Sequence, residues 1–148
     1  MHVKKHKGDV GLVNAIAELT QQEIAVALPI SDHLKYDLVA ERNGILKRVQ
    51  VRYTRLSDGK MNVKLKSVWS NQAGVHVSRR RQGDFDILAV YCPETHKTYF
   101  VADDSFDCGS TMTLRVEPSK GVGGSGEVRM AENFVDCRKL FKEECQSG

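Results

Sequence analysis

The chain has 148 residues, of which 41% are hydrophobic, and a formal net charge of +3 at pH 7. This size and composition are typical of one soluble globular domain with a core of its own. No apolar run approaches the roughly 20 residues that a membrane-spanning helix needs, and the charged N-terminal segment lacks the hydrophobic stretch of a signal peptide. We therefore expect no membrane contact and a location in the cytosol or nucleoid.

The cysteines are too far apart in sequence for a zinc knuckle or a redox motif. Cys92, Cys108, Cys137 and Cys145 are separated by 16, 29 and 8 residues. Those motifs need close pairs, so we expect reduced and mostly buried thiols. A bond between Cys108 and Cys137 is the alternative, which a reducing compartment disfavours.

The charge is distributed unevenly along the chain. Residues 1–81 hold 15 Lys and Arg against 7 Asp and Glu, whereas residues 82–148 hold 7 against 12, so the halves carry +8 and −5. A basic half suggests a polyanionic partner, because neutralising phosphates and releasing their counterions provides most of the sequence-independent affinity for nucleic acids. DNA or RNA is the candidate partner, and a solvated charged surface is the alternative.

The first third of the chain predicts a helix followed by three strands. Apolar residues recur at helical spacing over about 9–22, with Asp9 placed to cap the first turn. Residues 24–28 are a short apolar run that predicts a buried strand. Residues 35–42 and 45–54 predict a hairpin.

This hairpin carries the most informative polar residues of the chain. Asn43-Gly44 is the strongest sequence signal for a two-residue type I′ turn, which fixes the register of the two strands. Facing residue numbers then sum to 87, so Asp37 lies opposite Gln50, and Arg52 follows on the same face. A carboxylate, an amide and a guanidinium thus converge on one patch. The alternative is a polar row on a solvent-facing amphipathic hairpin.

The middle of the chain is basic. Residues 61–66 alternate and predict a half-exposed strand whose basic side carries Lys64 and Lys66. Residues 67–84 show no sustained period, and we expect a long loop, which in a compact domain is often functional or disordered. The loop contains three consecutive arginines, for which phosphate contact is the expected role: Arg79, Arg80 and Arg81.

The second half predicts another hairpin, a strand and a terminal helix. Residues 85–91 and 98–101 form the hairpin, beginning with a central strand, and residues 111–116 alternate as a further strand. A Gly-rich link follows over 118–127, and apolar spacing predicts a helix over about 130–144.

The element order predicts the fold class. A helix, several strands and a final helix indicate a mixed α/β domain with one sheet flanked by helices. We expect the whole chain to form a single domain with its core at about 7–117. Asp84 and Asp86 flank the start of the central strand, where they either cap it, with Asp86 buried and hydrogen-bonded, or support an active site.

Four segments carry a further pattern: Lys7-Gly8-Asp9-Val10-Gly11; Tyr36-Asp37-Leu38-Val39; Gly44-Ile45-Leu46-Lys47 with Val49-Gln50-Val51; and Asp84-Phe85-Asp86 with Ala89-Val90-Tyr91-Cys92-Pro93-Glu94-Thr95. Over roughly 7–106 the chain resembles the PD-(D/E)XK nuclease superfamily. The branch that it resembles is the small homing endonucleases of group I introns, of the cyanobacterial tRNA-gene type. In that branch Gln-x-Lys stands where most relatives have Glu-x-Lys, so Gln50 is within the pattern and Arg52 departs from it.

The resemblance implies a restriction-endonuclease-like core and a site-specific endonuclease that hydrolyses phosphodiester bonds in double-stranded DNA. Such hydrolysis needs a divalent cation, and Mg²⁺, which Mn²⁺ is expected to replace, prefers oxygen ligands. The expected ligands are Asp37, the Gln50 side-chain oxygen and the Val51 carbonyl. The cationic group is Arg52 or, reaching the site from the basic face of the next strand of the same sheet, Lys64 or Lys66, of which Lys66 is favoured. DNA contacts are assigned to Lys7, Lys64 and Arg79 to Arg81.

One acidic position of the family pattern is missing. Relatives often have a Glu four residues after the helix-opening Gly, where this chain has Leu12. Glu18 is the nearest helical substitute, but it lies roughly 120° away around the helix, so a solvated role is the alternative.

The resemblance also implies a symmetric homo-oligomer, a dimer or a tetramer, in whose assembly the terminal helix takes part. Two other functions stay open. One is a junction-resolving or repair endonuclease. The other is a catalytically silent DNA-binding protein that keeps the scaffold without a lysine at position 52 or an acid at position 12.

Overall fold

The computed structural model describes residues 3–65, 67–78, 83–106, 111–118 and 129–142. In these ranges the chain forms one α-helix, nine strands and three short 3-10 helices. In chain order the elements are α1 Val3–Gln21, β1 Ala25–Ala27, β2 Leu38–Arg42, β3 Ile45–Tyr53, β4 Lys60–Lys64, β5 Ser67–Asn71, β6 Gly74–Ser78, β7 Ile87–Cys92, β8 Lys97–Ala102, a 3-10 helix Asp103–Ser105, β9 Thr111–Arg115, and 3-10 helices Ala131–Phe134 and Arg138–Phe141.

A five-stranded mixed sheet organises the fold, in the order β1-β2-β3-β7-β8. All neighbours are antiparallel except β3 and β7, which are parallel. Every residue of β7 is buried, as its continuous apolar sequence predicts for a strand covered on both faces. The expected α/β class and the two hairpins are therefore confirmed.

Helix α1 covers one face of this sheet. Its buried Ala15 and Leu19 belong to a core cluster with residues of β2, β3, β7 and β8. At Gly11 the helix approaches β3 so closely that an added Cβ would lie 3.5 Å from the Tyr53 Cβ. The helix begins at Val3, six residues before the expected start, so Asp9 lies inside it and the predicted cap is wrong.

A two-stranded ribbon of β4 and β9 covers the other face. Met61 and Val63 of β4 are fully buried and pack with Leu88 and Val90 of β7. The ribbon is a separate sheet, paired from Lys60↔Arg115 to Lys64↔Thr111. The strand predicted at 61–66 is confirmed, but it does not belong to the central sheet.

Two expectations about local structure are wrong. Residues 67–78 form an antiparallel hairpin of β5 and β6, where the sequence predicted a loop. The strand at Ala25–Ala27 is not buried, because it lies at the edge of the sheet with Ala25 and Ala27 exposed.

The helix expected over 130–144 is replaced, within the described residues, by two 3-10 helices. The Cys137 N–H donates to the Gln22 side-chain oxygen at 2.7 Å, which takes it out of an α-helical ladder. The Leu140 N–H then bonds to the Cys137 carbonyl at 3.0 Å with 3-10 spacing. The segment still docks on the core, because Cys137 and Phe141 are buried among α1-side residues.

No helix among the described residues is long and apolar enough to cross a membrane. Of the cysteines, Cys92 and Cys137 lie in the described ranges, and both are buried free thiols. Burial raises the pKa of the Cys137 thiol to about 12, which agrees with an unreactive structural thiol.

Candidate active site

The β2–β3 hairpin has the turn and the register that its sequence predicts. Asn43 and Gly44 both have positive φ, 55° and 82°, as a type I′ turn requires. The pairs run from Leu38↔Val49 to Arg42↔Ile45, and their residue numbers sum to 87. Asp37, one residue before β2, departs from this register by one residue: its N–H donates at 2.8 Å to the carbonyl of Val49, which is also the partner of Leu38.

The Asp37 carboxylate joins the two strands at the predicted patch. Its Oδ2 accepts a hydrogen bond from the Val51 N–H at 2.8 Å and another from Gln50 Nε2 at 3.1 Å. The carboxylate is half-buried. The structure therefore brings together the acid, the amide and the backbone of Val51.

The Val51 carbonyl lies on the same edge of β3 as Asp37. In an extended strand the N–H and C=O of one residue point toward the same neighbouring strand, and the Val51 N–H points to Asp37. Strand β2 begins at Leu38, opposite Val49, so within the described residues β2 does not pair with Val51. The carbonyl oxygen is thus placed beside the carboxylate without a ladder partner from β2.

Arg52 lies next to this group and is largely enclosed. Its Nε is buried and contacts no acceptor in the described part of the chain. Burial lowers the pKa of Arg52, and the negative charge of Asp37 opposes that shift. Side chains two apart on a strand share a face, so Gln50 and Arg52 both lie on the face covered by β4 and β9. Because an arginine stays protonated even with a lowered pKa, the site contains a permanent cation whose Nε–H has no acceptor among the described residues.

The other predicted basic residues have different positions. Lys64 is exposed, on the side of β4 opposite the buried Val63. Since β4 is outside the central sheet, the expected route from Lys64 or Lys66 to the site within one sheet is wrong. Lys7 is exposed on α1. Four predicted residues, Lys66, Arg79, Arg80 and Arg81, lie outside the described residues.

Neither of the two α1 positions considered for a second acid, 12 and 18, joins Asp37 in the contacts that the structure shows. Leu12, at the position where relatives often have Glu, is partly buried and packs in the α1-side core. The Glu18 Oε1 accepts a hydrogen bond from Gln22 Nε2 at 2.7 Å. The same Gln22 bonds to the Val135 carbonyl and the Cys137 N–H, so Glu18 supports the junction between α1 and the C-terminal segment.

A cluster of polar and aromatic side chains beside the site was not predicted from the sequence. Arg48, two residues before Gln50 on β3, is paired with Asp86 at 3.2 Å, and its guanidinium carbon lies 6.0 Å from the centre of the Tyr36 ring. Burial alone would raise the pKa of Asp86, but hydrogen bonds from the Arg48 side chain and backbone produce a net lowering. The i, i+2 spacing from Arg48 to Gln50 is the signal that could have indicated it. Asp86 is hydrogen-bonded as expected, although its side chain is 35% exposed.

The oxygen atoms of this patch are suitable ligands for a hard divalent cation, but they provide little negative charge. No group of three or more His, Cys, Asp or Glu side chains able to hold a metal occurs in the described ranges. The available donors are oxygens: the Asp37 carboxylate, the Gln50 amide and the Val51 carbonyl. Oxygen donors are the ligands that Mg²⁺ prefers, usually with retained waters and substrate phosphates. The residues therefore fit such an ion, provided that the Gln50 amide turns its oxygen to it.

Comparison with known proteins gives the family. The family model of the PD-(D/E)XK endonucleases matches residues 1–136. The chain belongs to the PD-(D/E)XK endonuclease family. Among solved structures, it is similar to "The structure of a bacterial homing endonuclease: I-Ssp6803I", with 26% sequence identity and a TM-score of 0.73 over 92% of this chain and 90% of that one. No curated protein sequence matches this chain.

Membership of the PD-(D/E)XK endonuclease family establishes the class of activity. The chain is a site-specific DNA endonuclease on an α/β scaffold, and the nucleases of this family depend on divalent metal ions. The patch of Asp37, Gln50 and Val51 lies directly before β2 and on β3. Arg52 and Leu12 are the departures of this PD-(D/E)XK chain from the expected pattern.

Proposed function

We propose that the chain is a homing-type endonuclease that cuts double-stranded DNA with Mg²⁺ bound at the Asp37 patch. The observation that carries this proposal is the contact of one carboxylate oxygen with both Gln50 Nε2 and the Val51 N–H. It supports a site where Asp37, the Gln50 amide oxygen and the Val51 carbonyl hold the ion. When bound, the ion would lower the pKa of the attacking water and neutralise charge at phosphorus. Mn²⁺ is expected to support the same reaction.

Arg52 contributes charge stabilisation and no proton transfer. A guanidinium is protonated throughout the working pH range and has no acceptor atom, so it cannot remove a proton from water. Its Nε–H is buried and has no acceptor in the described residues, and a buried donor without a partner calls for an explanation. In our proposal the side chain shifts when DNA binds, so that this Nε–H donates to a non-bridging phosphate oxygen. Lys66 remains the alternative cationic group.

The DNA itself is proposed to bind along basic residues outside the patch. Lys7 and Lys64 are exposed cations, and Arg79, Arg80 and Arg81 follow β6 in the sequence. Such contacts position the duplex without reading its sequence. Cutting both strands requires two copies of the site, which supports a homo-oligomer, dimer or tetramer. We further propose that the whole chain forms one nuclease domain and acts in the cytosol or nucleoid.

A second candidate is a protein on this scaffold that binds DNA without cutting it. Two residues favour this function. Leu12 packs in the apolar core at a position where relatives often have an acid, so the site has less negative charge. Arg52, beside the Asp37 carboxylate, cannot accept a proton from water. A junction-resolving or repair enzyme differs from a homing enzyme in reading DNA shape, and a cleavage assay separates these functions.

The test is cleavage of a randomised duplex library in Mg²⁺ or Mn²⁺, with the cut ends sequenced. Asp37→Asn is the matched control, since it removes the charge and keeps the side-chain shape. Metal-dependent ends at a shared motif, absent with Asp37→Asn, support the homing-type proposal. Cutting of branched DNA without a shared motif would indicate a resolving enzyme, and retained binding without ends would indicate the silent scaffold.

A further inference from the structure

Asp37 and Leu38 form a β-bulge at the start of the active-site hairpin. The Asp37 N–H donates to the Val49 carbonyl at 2.8 Å, and Leu38 is the partner of the same Val49 in the strand register. Two residues of one strand thus lie opposite one residue of the other, which defines a bulge. A bulge changes the direction of the side chain that it carries. Here it carries the Asp37 carboxylate, which accepts from the Val51 N–H at the edge of β3.

The chain before the bulge gives Asp37 little support. Residues 30–35 are exposed, and β2 begins only at Leu38. Tyr36 lies between this exposed stretch and Asp37, and it is half-buried. Its side chain packs against the core cluster on the side of the β4–β9 ribbon. The position of Asp37 on its N-terminal side therefore depends on how Tyr36 is held.

Arg48 holds the ring of Tyr36 from the neighbouring strand. Its guanidinium carbon lies 6.0 Å from the centre of the ring, a distance at which a cation is attracted to an aromatic face. The guanidinium is fixed in turn, because Nε and Nη2 donate to the Asp86 carboxylate at 3.2 and 3.3 Å, and Nη2 also donates to the Gly83 carbonyl at 2.8 Å. The Arg48 N–H donates to Asp86 Oδ2 at 2.8 Å as well. An arginine held at so many points is a rigid support for the ring.

A simple ion pair between β3 and the start of β7 is the alternative role of Arg48 and Asp86. The side chains of the pair are 40% and 35% exposed, and exposed ion pairs contribute little to stability. The pair alone does not require an aromatic ring beside the guanidinium. The residue that provides this ring, Tyr36, directly precedes Asp37, the proposed metal ligand.

We propose that Arg48 and Tyr36 are positioning residues of the active site: Arg48, fixed by Asp86, holds the Tyr36 ring and so keeps the bulge that directs the Asp37 carboxylate to the edge of β3. The consequence for metal binding rests on the proposed function. The consequence for the carboxylate does not, because the Val51 N–H reports its position in the protein without metal. Neither Arg48 nor Tyr36 is assigned a contact with the metal or the DNA.

Hydrogen exchange of the Val51 amide, followed by NMR in the metal-free protein, tests this positioning. Arg48→Met removes the cation and keeps an unbranched side chain, and Tyr36→Leu removes the ring and keeps an apolar side chain. Each variant should speed exchange at Val51 about tenfold, because local opening becomes easier when the acceptor is no longer held in place. Asp37→Ala removes the acceptor itself and should give the fastest exchange at this amide.

Two conservative variants and an internal reference separate positioning from a general loss of stability. Arg48→Lys keeps a cation and Tyr36→Phe keeps the ring, so exchange at Val51 should stay within about threefold of wild type. The reference is the Thr54 N–H, which donates to the Tyr91 carbonyl at 2.9 Å. It should exchange at the wild-type rate in every variant.

The matched control is Arg55→Met, at the Arg55–Glu94 pair of 2.9 Å beyond the C-terminal ends of β3 and β7. It also replaces an ion-paired arginine by methionine, and it should leave exchange at Val51 unchanged. The double variant Arg48→Met/Tyr36→Leu should exchange no faster at Val51 than the faster single variant, because both changes break the same contact.

Cleavage gives a second and independent measurement. A metal ligand that is held less firmly binds the ion more weakly, so Arg48→Met and Tyr36→Leu should need about tenfold more Mg²⁺ for half of the maximal rate. The single-turnover rate at saturating Mg²⁺ and DNA should fall by less than about threefold. Arg55→Met should change neither quantity.

The outcomes separate the positioning role from the nuclease function. Wild-type exchange at Val51 in Arg48→Met and Tyr36→Leu would overturn the inference, and so would an equal acceleration at Val51 and Thr54 or additive effects in the double variant. If the wild-type protein never cuts DNA, the nuclease proposal fails while the exchange comparison still decides the positioning role. If exchange changes as expected but the Mg²⁺ requirement does not, the positioning of the carboxylate is supported and its proposed role as a metal ligand fails.

Discussion

Replacing Asp37 by alanine and by asparagine should separate the structural role of this residue from its proposed chemical role. Asp37 Oδ2 accepts two hydrogen bonds, from the Val51 N–H at 2.8 Å and from Gln50 Nε2 at 3.1 Å. Alanine removes this acceptor and leaves without a partner the N–H of Val51, a residue that is 9% exposed. Asparagine retains an oxygen that can accept from Val51, while the Gln50 amide can turn to match the new amide.

The expected cost of the alanine variant follows from the unpaired donor. Leaving a buried donor without an acceptor costs about 1–3 kcal/mol, which for a chain of this size corresponds to roughly 2–12 °C in melting temperature. Asp37→Asn should lose less than about 1 kcal/mol. The assays are urea denaturation for stability and duplex cleavage in Mg²⁺ for activity, where both variants should show no cutting.

A second substitution, at Arg52, tests whether the Asp37 charge stabilises the buried cation. Because Asp37 opposes the effect of burial on the Arg52 cation, removing Asp37 leaves that cation without its counter-charge. In a double-mutant cycle, adding Arg52→Met to Asp37→Ala should recover part of the lost stability, with a coupling of about 0.5–3 kcal/mol. Equal stabilities for Asp37→Ala and wild type, or equal losses for alanine and asparagine, would refute the hydrogen-bond reasoning.

Three further variants test other parts of the structure. Arg52→Lys should preserve or raise cleavage, and a hundredfold fall in the cleavage rate would show that arginine has a role that lysine cannot fill. Phe141→Ala should lose about 3–5 kcal/mol in urea unfolding, because the ring is 2% exposed in the core, whereas the exposed Lys142→Ala should lose almost nothing. Hydrogen bonds from Arg55 and the Leu56 N–H lower the pKa of Glu94 to about 2. The stabilisation of the fold by the ionised Glu94 is therefore complete above the ordinary pKa of 4.5 and is lost as the pH falls toward 2. The difference in melting temperature between wild type and Glu94→Gln should therefore shrink over that pH range, and a constant difference would contradict the assigned pairing.

The active-site hairpin could be predicted in detail because its turn determines its register. Asn43 and Gly44 adopt positive φ at low cost, and that geometry allows one pairing, which extends to Leu38↔Val49 and brings the Asp37 side chain into contact with Gln50. The contact of Asp37 with the Val51 N–H could not be predicted, since it depends on β2 beginning only at Leu38. Residues local to a turn were thus predictable, and the length of the ladder was not.

The C-terminal segment shows why periodicity alone was insufficient. Phe134, Cys137 and Phe141 have helical spacing, but the Cys137 N–H bonds to Gln22, which is 115 residues away in sequence. A tertiary hydrogen bond therefore replaces the local one, and the helix becomes two 3-10 turns. The hydrogen bonds of Gly83 were unpredictable for the same reason, because Arg48, which donates to its carbonyl, and Asp103, which accepts from its N–H, meet there only after the sheet has formed.

Leu12 and Arg52 change the same property of the active site. Leu12 is packed in the core on the α1 side, so one expected acid is absent, and Arg52 adds a cation that cannot be neutralised beside the remaining carboxylate. A site with one carboxylate and a permanent cation attracts a divalent ion weakly in the free protein. A DNA phosphate would contribute both an acceptor for the Arg52 Nε–H, which has none among the described residues, and further negative oxygens. Metal binding and DNA binding are therefore expected to be coupled, with the stronger metal affinity in the DNA complex.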